Sequence, residues 1–295
     1  MITISVIIAT YNRATLLHRQ LRSLQKQDLD ASDFEIIVVD DGSTDYTDEV
    51  VRHMQKTMNN LSVIKQDNQG PAVARNKGAS VAKGSILAFT DDDCLVDANW
   101  LSIIKKKFSD ESILGLQGRT TTVKKLVTPL THQVLNEHGD YSTPTCNAAY
   151  RASVFSKVGG FDPEFPFQNE DADLSWRVRE RGIIQFVPEM HVLHPPRPDS
   201  FKKNARKMKH LISEFMLYYK NPELYKKYRA ANPWITIYWL VMVRAQGYHF
   251  TRRIKYIHKP IMMLQGIGLS LVWWIQLLRL LPTFIDSDRK YSSLY

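Results

Sequence analysis

Phe34-Glu35-Ile36-Ile37-Val38-Val39-Asp40-Asp41-Gly42-Ser43 is a run dominated by β-branched residues that stops at two carboxylates and a turn. An apolar run of this length, without regular polar alternation, predicts a strand buried on both faces, and the Asp-Asp-Gly-Ser stop marks its carboxyl end. The same pattern recurs on either side. Upstream, Ile4 to Ala9 is a first strand ending at Thr10-Tyr11-Asn12-Arg13; downstream, Leu61 to Lys65 is a short third and Ile86 to Phe89 a fourth, stopped by Asp91-Asp92-Asp93. Between them, Leu16 to Gln27 carries Leu17, Leu21 and Leu24 at helical spacing, and Pro71 to Ala82 is Ala-rich and helical. Strands alternating with helices predict an α/β fold, a parallel sheet covered on both faces. In such sheets ligands bind outside the carboxyl ends of the strands.

The strand-end residues therefore carry the functional reading. The first turn has no Gly-x-Gly-x-x-Gly, and no Gly-x-x-x-x-Gly-Lys-Ser/Thr is present, which argues against a dinucleotide fold and a P-loop. Three adjacent aspartates repel one another when ionised, and a divalent cation resolves that conflict while bridging diphosphate oxygens. Hard carboxylate ligands suit Mg²⁺ or Mn²⁺. The plain alternative is a solvated turn or helix cap, since Asp97 follows and a helix is expected near Ala98.

Several segments, in order, resemble family 2 inverting glycosyltransferases, nucleotide-sugar enzymes of GT-A fold. Ser5 to Arg13 is similar to that family's opening strand and nucleotide-contacting turn, and Ile36 to Asp45 to its second-strand signature. Gly70 to Gly78 resembles its Arg-Asn-x-Gly stretch, and Ala88 to Asp93 its Asp-x-Asp motif. Tyr150 to Asp162 resembles the acceptor-side loop, and Asn169 to Leu174 the Glu-Asp motif opening a helix. The likeness covers about residues 3–195. It implies a Rossmann-like, mostly parallel sheet flanked by helices in a catalytic domain of residues 1–200, with residues 201–295 as a helical membrane-associating extension.

By that resemblance Thr10, Tyr11, Asn12, Arg13, Asp40, Arg75, Asp91 and Asp92 bind the donor, with Asp40 meeting a uracil or thymine edge and Arg75 near the base. Asp93 is the direct metal ligand. Asp171 is the base that deprotonates the acceptor hydroxyl, as inversion requires; Glu170 and Asn147 lie on the acceptor side. For Glu170, Asp171 and Asp173 the alternative is helix-terminal charge, worth about 0.3–1 kcal/mol each, and Asp173 fits it well. His194, at the end of an apolar run and beside Arg197, is favoured over His191 as a further metal ligand, against a purely structural histidine. The Gln-x-x-Arg-Trp motif of processive synthases is absent, which implies single addition of a UDP- or dTDP-linked sugar.

Composition adds the partner. Of 295 residues, 39 are Lys or Arg and 30 Asp or Glu, giving +9. Residues 1–200 hold 22 basic and 26 acidic residues (−4), whereas residues 201–295 hold 17 and 4 (+13). All of the excess is thus in the last third. There, Phe201, Ala205, Met208, Ile212, Phe215 and Tyr219 form one helical stripe flanked by lysines. Pro233 to Val243 is apolar and aromatic, Arg252, Arg253, Lys255 and Lys259 follow, and Ile261 to Leu278 is uncharged up to Arg279. Basic flanks and tryptophans predict a membrane surface met through residues 201–285, peripheral or monotopic on a cytoplasmic face. A single span by residues 261–278 and a buried helical subdomain are the alternatives. The expected acceptor is accordingly a lipid-linked or membrane-proximal glycan. Two cysteines fit a reducing compartment, and the apolar opening lacks the basic leader of a signal peptide. Nucleic acid has no recognition motif behind it. A nucleotidyltransferase, or a non-catalytic membrane-associated scaffold, is the rival function; the first lacks its Gly-rich loop, the second leaves the ordered aspartates unexplained.

Overall fold

The computed structural model describes residues 2–165, 168–244 and 259–295, of which 240–244 are described by their backbone alone. Strands β1 (Ile4–Thr10), β2 (Phe34–Asp40), β3 (Leu61–Lys65) and β4 (Ile86–Phe89) form where the apolar runs predict them. They join β5 (Leu95–Val96), β6 (Ile113–Thr121), β8 (Ala148–Arg151) and β9 (Ile183–Leu193) in one sheet of order β3-β2-β1-β4-β8-β6-β9-β5. The first four are parallel; β8 runs antiparallel to both β4 and β6, and β9 is parallel to β6. Consequently β1, β2, β3, β4, β6 and β9 all point the same way, and the segments after them, with the one before β8, gather along one sheet edge.

Alternation within β1 shows why both faces are covered. Ile4, Val6 and Ile8 pack with Leu17, Leu21 and Leu24 of α1 (Ala14–Leu24) and with Val51 and Met54 of α2 (Thr47–Gln55). Ile7 points the other way, into a cluster with Ala72 of α3 (Pro71–Val81), Phe89, Phe155 and Phe161. Gly78 makes that approach possible, because a Cβ there would lie 2.7 Å from the Ile7 Cγ2. Burying this many branched side chains on two faces stabilises the sheet by roughly 1.5–3 kcal/mol per fully buried residue before entropy is subtracted. Helices α4 (Trp100–Lys107), α5 (Ala152–Lys157) and α6 (Glu170–Arg179) complete the layers.

The chain forms two compact units: Met1–Val123, Val134–Glu164 and Glu170–Pro195 in the first; Lys124–Gln133, Phe165–Asn169 and Pro196–Tyr295 in the second. The expected boundary at residue 200 thus falls a few residues earlier, and the second unit draws in two preceding segments. Specific pairing explains this. β7 (Thr131–His132) pairs antiparallel with β10 (Arg197–Pro198), and the Asn169 Nδ2 donates to the Glu214 Oε1 at 2.9 Å. The buried Glu214 carboxylate also accepts from the Tyr225 hydroxyl at 2.8 Å.

Within the second unit the stripe from Phe201 to Tyr219 is not one helix. It divides into α7 (Phe201–Lys207), a 3₁₀ turn over Met208–Leu211, and α8 (Ile212–Lys220), so its period of three to four residues is kept while the hydrogen-bond pattern changes. α9 (Pro222–Tyr228) follows, then a π-helical segment over Ile235–Arg244. The helix that carries the uncharged stretch does not end at Arg279: α10 (Pro260–Leu294), 35 residues long, continues through Pro282. Arg252, Arg253 and Lys255 lie outside the described residues.

Candidate functional site

The aligned strand ends bring four carboxylates and two guanidiniums together. Asp91, Asp92 and Asp93 follow β4; Thr10 and Arg13 follow β1; Arg75 comes from α3 and Glu170 from the first turn of α6. The Thr10 hydroxyl donates to the Asp92 Oδ2 and the Arg13 Nη1 to the Asp92 Oδ1, both at 2.9 Å, with Arg13 also 3.6 Å from Asp93. Arg75 divides its fork, Nη2 to Asp91 at 2.9 Å and Nη1 to Glu170 at 3.1 Å, and lies over the Phe161 ring. Four carboxylates against two guanidiniums leave two uncompensated negative charges.

Burial acts unequally on this cluster. Asp92 has a side chain only 3% exposed, and burial, with Asp93 beside it and Arg13 opposing, pushes its carboxyl up to about 6. Burial also acts on Asp91, but Arg75 outweighs it and holds that carboxyl below its ordinary range. The sign for Asp92 follows from the raised value. Between the ordinary carboxylate value and about 6, the folded protein keeps a proton that the unfolded chain has lost, so this stabilising contribution is lost as pH rises through about 6. On acidification from about pH 7.5 to about pH 5.5, the metal-free protein gains a little under 1 kcal/mol from this group. That corresponds to a melting-temperature rise on the order of 2 °C. Thermal melts should show the rise in the wild type and a smaller one in Asp92→Asn; an undiminished rise in the variant would assign it elsewhere.

His194 follows β9, buried, its backbone N–H donating to the Thr121 carbonyl and its Nε2 3.5 Å from the Asp93 Oδ1. Asp93, His194 and the thiol of Cys94 present ligand atoms within 4.8 Å of one another. An imidazole and carboxylates, with two negative charges to balance, form a donor set that fits a divalent cation. His191 is placed differently: its Nδ1 pairs with the Asp97 Oδ2 at 2.9 Å and its Nε2 with the Thr121 hydroxyl at 2.8 Å.

The remaining expected residues divide by role. Asn12, at φ 52°, accepts through its Oδ1 from the backbone N–H groups of Thr44 and Asp45, so it ties the first turn to the second. Tyr11 is exposed beside it. Asp40 is buried and accepts from the Ser43 N–H at 2.9 Å. Asp171 is partly buried in the first turn of α6. Burial first, then the charge of Asp171, pushes the buried Tyr150 phenol up. Asp173 is fully engaged by Arg177, which also donates to the carbonyls of Val158 and Gly160 and so fixes the turn before Phe161.

Asn147, expected on the acceptor side, is instead a strut of the core. Its Oδ1 accepts from the Trp100 indole at 2.9 Å, and its two amide hydrogens go to the carbonyls of Arg119 and Met190. Gly118 leaves the room for it, since a Cβ there would sit 2.4 Å from the Asn147 Nδ2. Two functional supports have no role in the sequence reading. Asp41 accepts from the Gln66 amide and from the N–H groups of Gln69 and Gly70, shaping the loop that launches α3 and Arg75. Asp45 accepts from the Ala14 and Thr47 N–H groups, at the starts of α1 and α2. Asp45 lies two residues before a helix start, a capping signal legible in sequence; Asp41 carries no such signal.

Residues 5–159, more than half the chain, match the family model for Glycosyl transferase family 2. The chain belongs to that family. As a family 2 glycosyltransferase it is a nucleotide-sugar-dependent enzyme, which sets aside the nucleotidyltransferase and scaffold readings. It is 29% identical to the glycosyltransferase AglE of Haloferax volcanii over 230 residues, 72% of this chain and 74% of that protein. Two further curated relatives are matched over 58% and 53% of their own lengths. The fold is similar to the mannosyltransferase PcManGT from Pyrobaculum calidifontis in complex with GDP-Man and Mn²⁺, with TM-score 0.64 and 19% identity over 93% of this chain and 86% of that one. It is also similar to S. aureus TarS 1–349 in complex with UDP-GlcNAc, with TM-score 0.60 and 17% identity over 99% and 91% of the two chains.

Proposed function

We propose that this family 2 glycosyltransferase moves a sugar, with inversion at the anomeric carbon, from a UDP- or dTDP-sugar to a hydroxyl of a lipid-linked or membrane-proximal glycan. The observation that carries the reading is the excess of four carboxylates over two guanidiniums at the edge where six strands end. The same edge receives the turns after β1 and β2, where nucleotide contacts are expected. The fold neighbours bound to GDP-Man with Mn²⁺ and to UDP-GlcNAc support a nucleotide-sugar and a divalent cation here.

Asp93 and His194, with Asp91 and Asp92 around them, would hold Mn²⁺ or Mg²⁺, which when bound stabilises the negative charge growing on the leaving diphosphate. This chain's own residues do the rest. Arg13 and Thr10 hold Asp92 in one orientation, and Arg75 braces Asp91 against Glu170. Asp40 accepts from the base edge of the donor, with Tyr11 beside the nucleotide. Asp171 takes the proton of the acceptor hydroxyl as that oxygen attacks the anomeric carbon, and Glu170 positions the acceptor from the adjoining place in α6. The acceptor's membrane location is supported by the basic second unit and by α10, long and apolar enough to cross a membrane.

The test is incubation of the full chain with a panel of sugar nucleotides and Mn²⁺, reading released nucleoside diphosphate and the anomer of the transferred sugar. UDP- or dTDP-sugars should be consumed in an EDTA-sensitive manner. Metal-independent release, or a retained anomeric configuration, would overturn the proposal.

A further inference from the structure

The first five turns of α10 have two apolar faces. One is buried: Gly266, Leu269, Ser270 and Leu277 face α7 and α8. The other is open. Ile261, Leu264, Leu271, Ile275 and Leu278 recur at intervals of three, four and seven, each between 54% and 72% exposed. Between residues 283 and 293 the exposed positions are polar, with Thr283, Asp286, Arg289 and Lys290. The open apolar stripe therefore has a definite end, and there Asp288 accepts from the Tyr219 hydroxyl and the Trp234 indole.

What lies beside the stripe decides how it can be used. The Phe201 ring of α7 sits against Gly268, where an added Cβ would come within 3.2 Å of it. Gly268 lies near the middle of the uncharged stretch, and α7 exposes Lys202, Lys203 and Arg206. Were residues 261–278 to cross a bilayer over their about 27 Å, α7 would be carried with them and its cations placed at hydrocarbon depth, which is strongly unfavourable. An in-plane helix has no such conflict. Its outer face enters the acyl boundary while Lys and Arg beside it stay at headgroup level, the arrangement their long stems favour.

Charge also selects the occupant. Residues 259–281 contain no Asp or Glu, so a second copy laid on this face would bring cations towards cations. Anionic headgroups neutralise them instead. We propose that the open face of α10, flanked by Lys202, Lys203 and Arg206, docks the enzyme in the plane of an anionic phospholipid surface without spanning it. This deepens the membrane part of the proposed function and rests on it.

Flotation of the full chain with phosphatidylcholine vesicles, and with equal parts phosphatidylcholine and phosphatidylglycerol, tests the assignment. Binding should be strong only to the mixed vesicles, be released by alkaline carbonate, and weaken in high salt. Lys202→Glu/Lys203→Glu/Arg206→Glu should lose on the order of a hundredfold in affinity for mixed vesicles. Leu264→Asp/Leu271→Asp/Leu278→Asp should abolish flotation while leaving nucleoside diphosphate release in solution unchanged. Carbonate-resistant binding means a spanning helix and overturns the proposal. So does failure to bind either vesicle, or a dimer that Leu271→Asp dissociates without any vesicle binding. Nucleoside diphosphate release is read in every arm. Failed flotation with intact release overturns this assignment alone, whereas absent release in the wild type overturns the catalytic reading.

Discussion

Asp93→Ala is expected to lower Mn²⁺-stimulated donor turnover by on the order of a thousandfold or more, because the cation's stabilisation of the departing diphosphate is worth several kcal/mol. Three features single out this aspartate. Asp91 is held by Arg75 and Asp92 by Arg13 and Thr10, each at hydrogen-bond distance, and Asp93 lies beside them, 3.6 Å from Arg13. It lies 3.5 Å from the His194 Nε2, so a hard oxygen and an imidazole nitrogen face one small volume. Removing its charge also halves the uncompensated negative charge of the cluster. The metal-free variant should stay folded, since one member of a repelling buried set has been deleted, and a melting curve checks this. Titration calorimetry with Mn²⁺ should show lost affinity in Asp93→Ala and also in Asp93→Asn, which keeps the shape. Unchanged Mn²⁺ affinity in both variants would remove Asp93 as a ligand.

The strand ends of this site are legible in the sequence because two simple signals coincide there. Apolar runs such as Ile36 to Val39 must be buried, and the carboxylates after them must not be, unless something pays their desolvation. That is why Asp40 and Asp91 to Asp93 stand out before any coordinates. Asn147 is misread for the opposite reason. It looks like a polar residue near an acceptor loop, yet three hydrogen bonds in the core account for its amide, and those partners lie 28 to 47 positions away. Pairings of that range leave no local trace. The antiparallel β8 is hidden likewise, since a strand of four residues specifies no direction. Asp41 reads as one more residue of an acidic turn until Gln69 and Gly70 fold onto it.

The charge asymmetry takes on a physical division of labour. At the site the cations are absorbed locally, Arg75 by Asp91 and Glu170 and Arg13 by Asp92, and the four carboxylates still outnumber the two guanidiniums. In the second unit carboxylates are few, and Glu214 is buried among Asn169 and Tyr225. Among its described residues Lys202, Lys203 and Arg206 are exposed.

Asp171→Asn is expected to lower kcat for transfer by about 10²- to 10⁴-fold, the usual contribution of a positioned general base, with donor binding unchanged. Glu170 is the competing carboxylate: its Oε1 accepts from Arg75 at 3.1 Å, while the Asp171 Oδ1 accepts from the Ala172 N–H at 2.7 Å, and the charged brace to Arg75 suits Glu170 as an anchor. Asp171 follows it in the same helical turn, and its charge, after burial, helps push up the buried Tyr150 phenol. The bland explanation of an acidic first turn is favourable interaction with the helix dipole, worth about 0.3–1 kcal/mol. Asn at this position keeps the shape and the hydrogen-bond acceptor, so the melting temperature should move little. The two roles then separate cleanly. A capping residue loses a little stability and no activity; a base loses activity, and with it the acidic limb of the pH profile for transfer. Donor affinity, read by titration with the nucleotide-sugar and Mn²⁺, should match the wild type, because the base proposed at Asp171 would act on the acceptor hydroxyl and not on the diphosphate. Transfer retained at the wild-type rate would rule Asp171 out and return the assignment to Glu170, for which Glu170→Gln is the matching test.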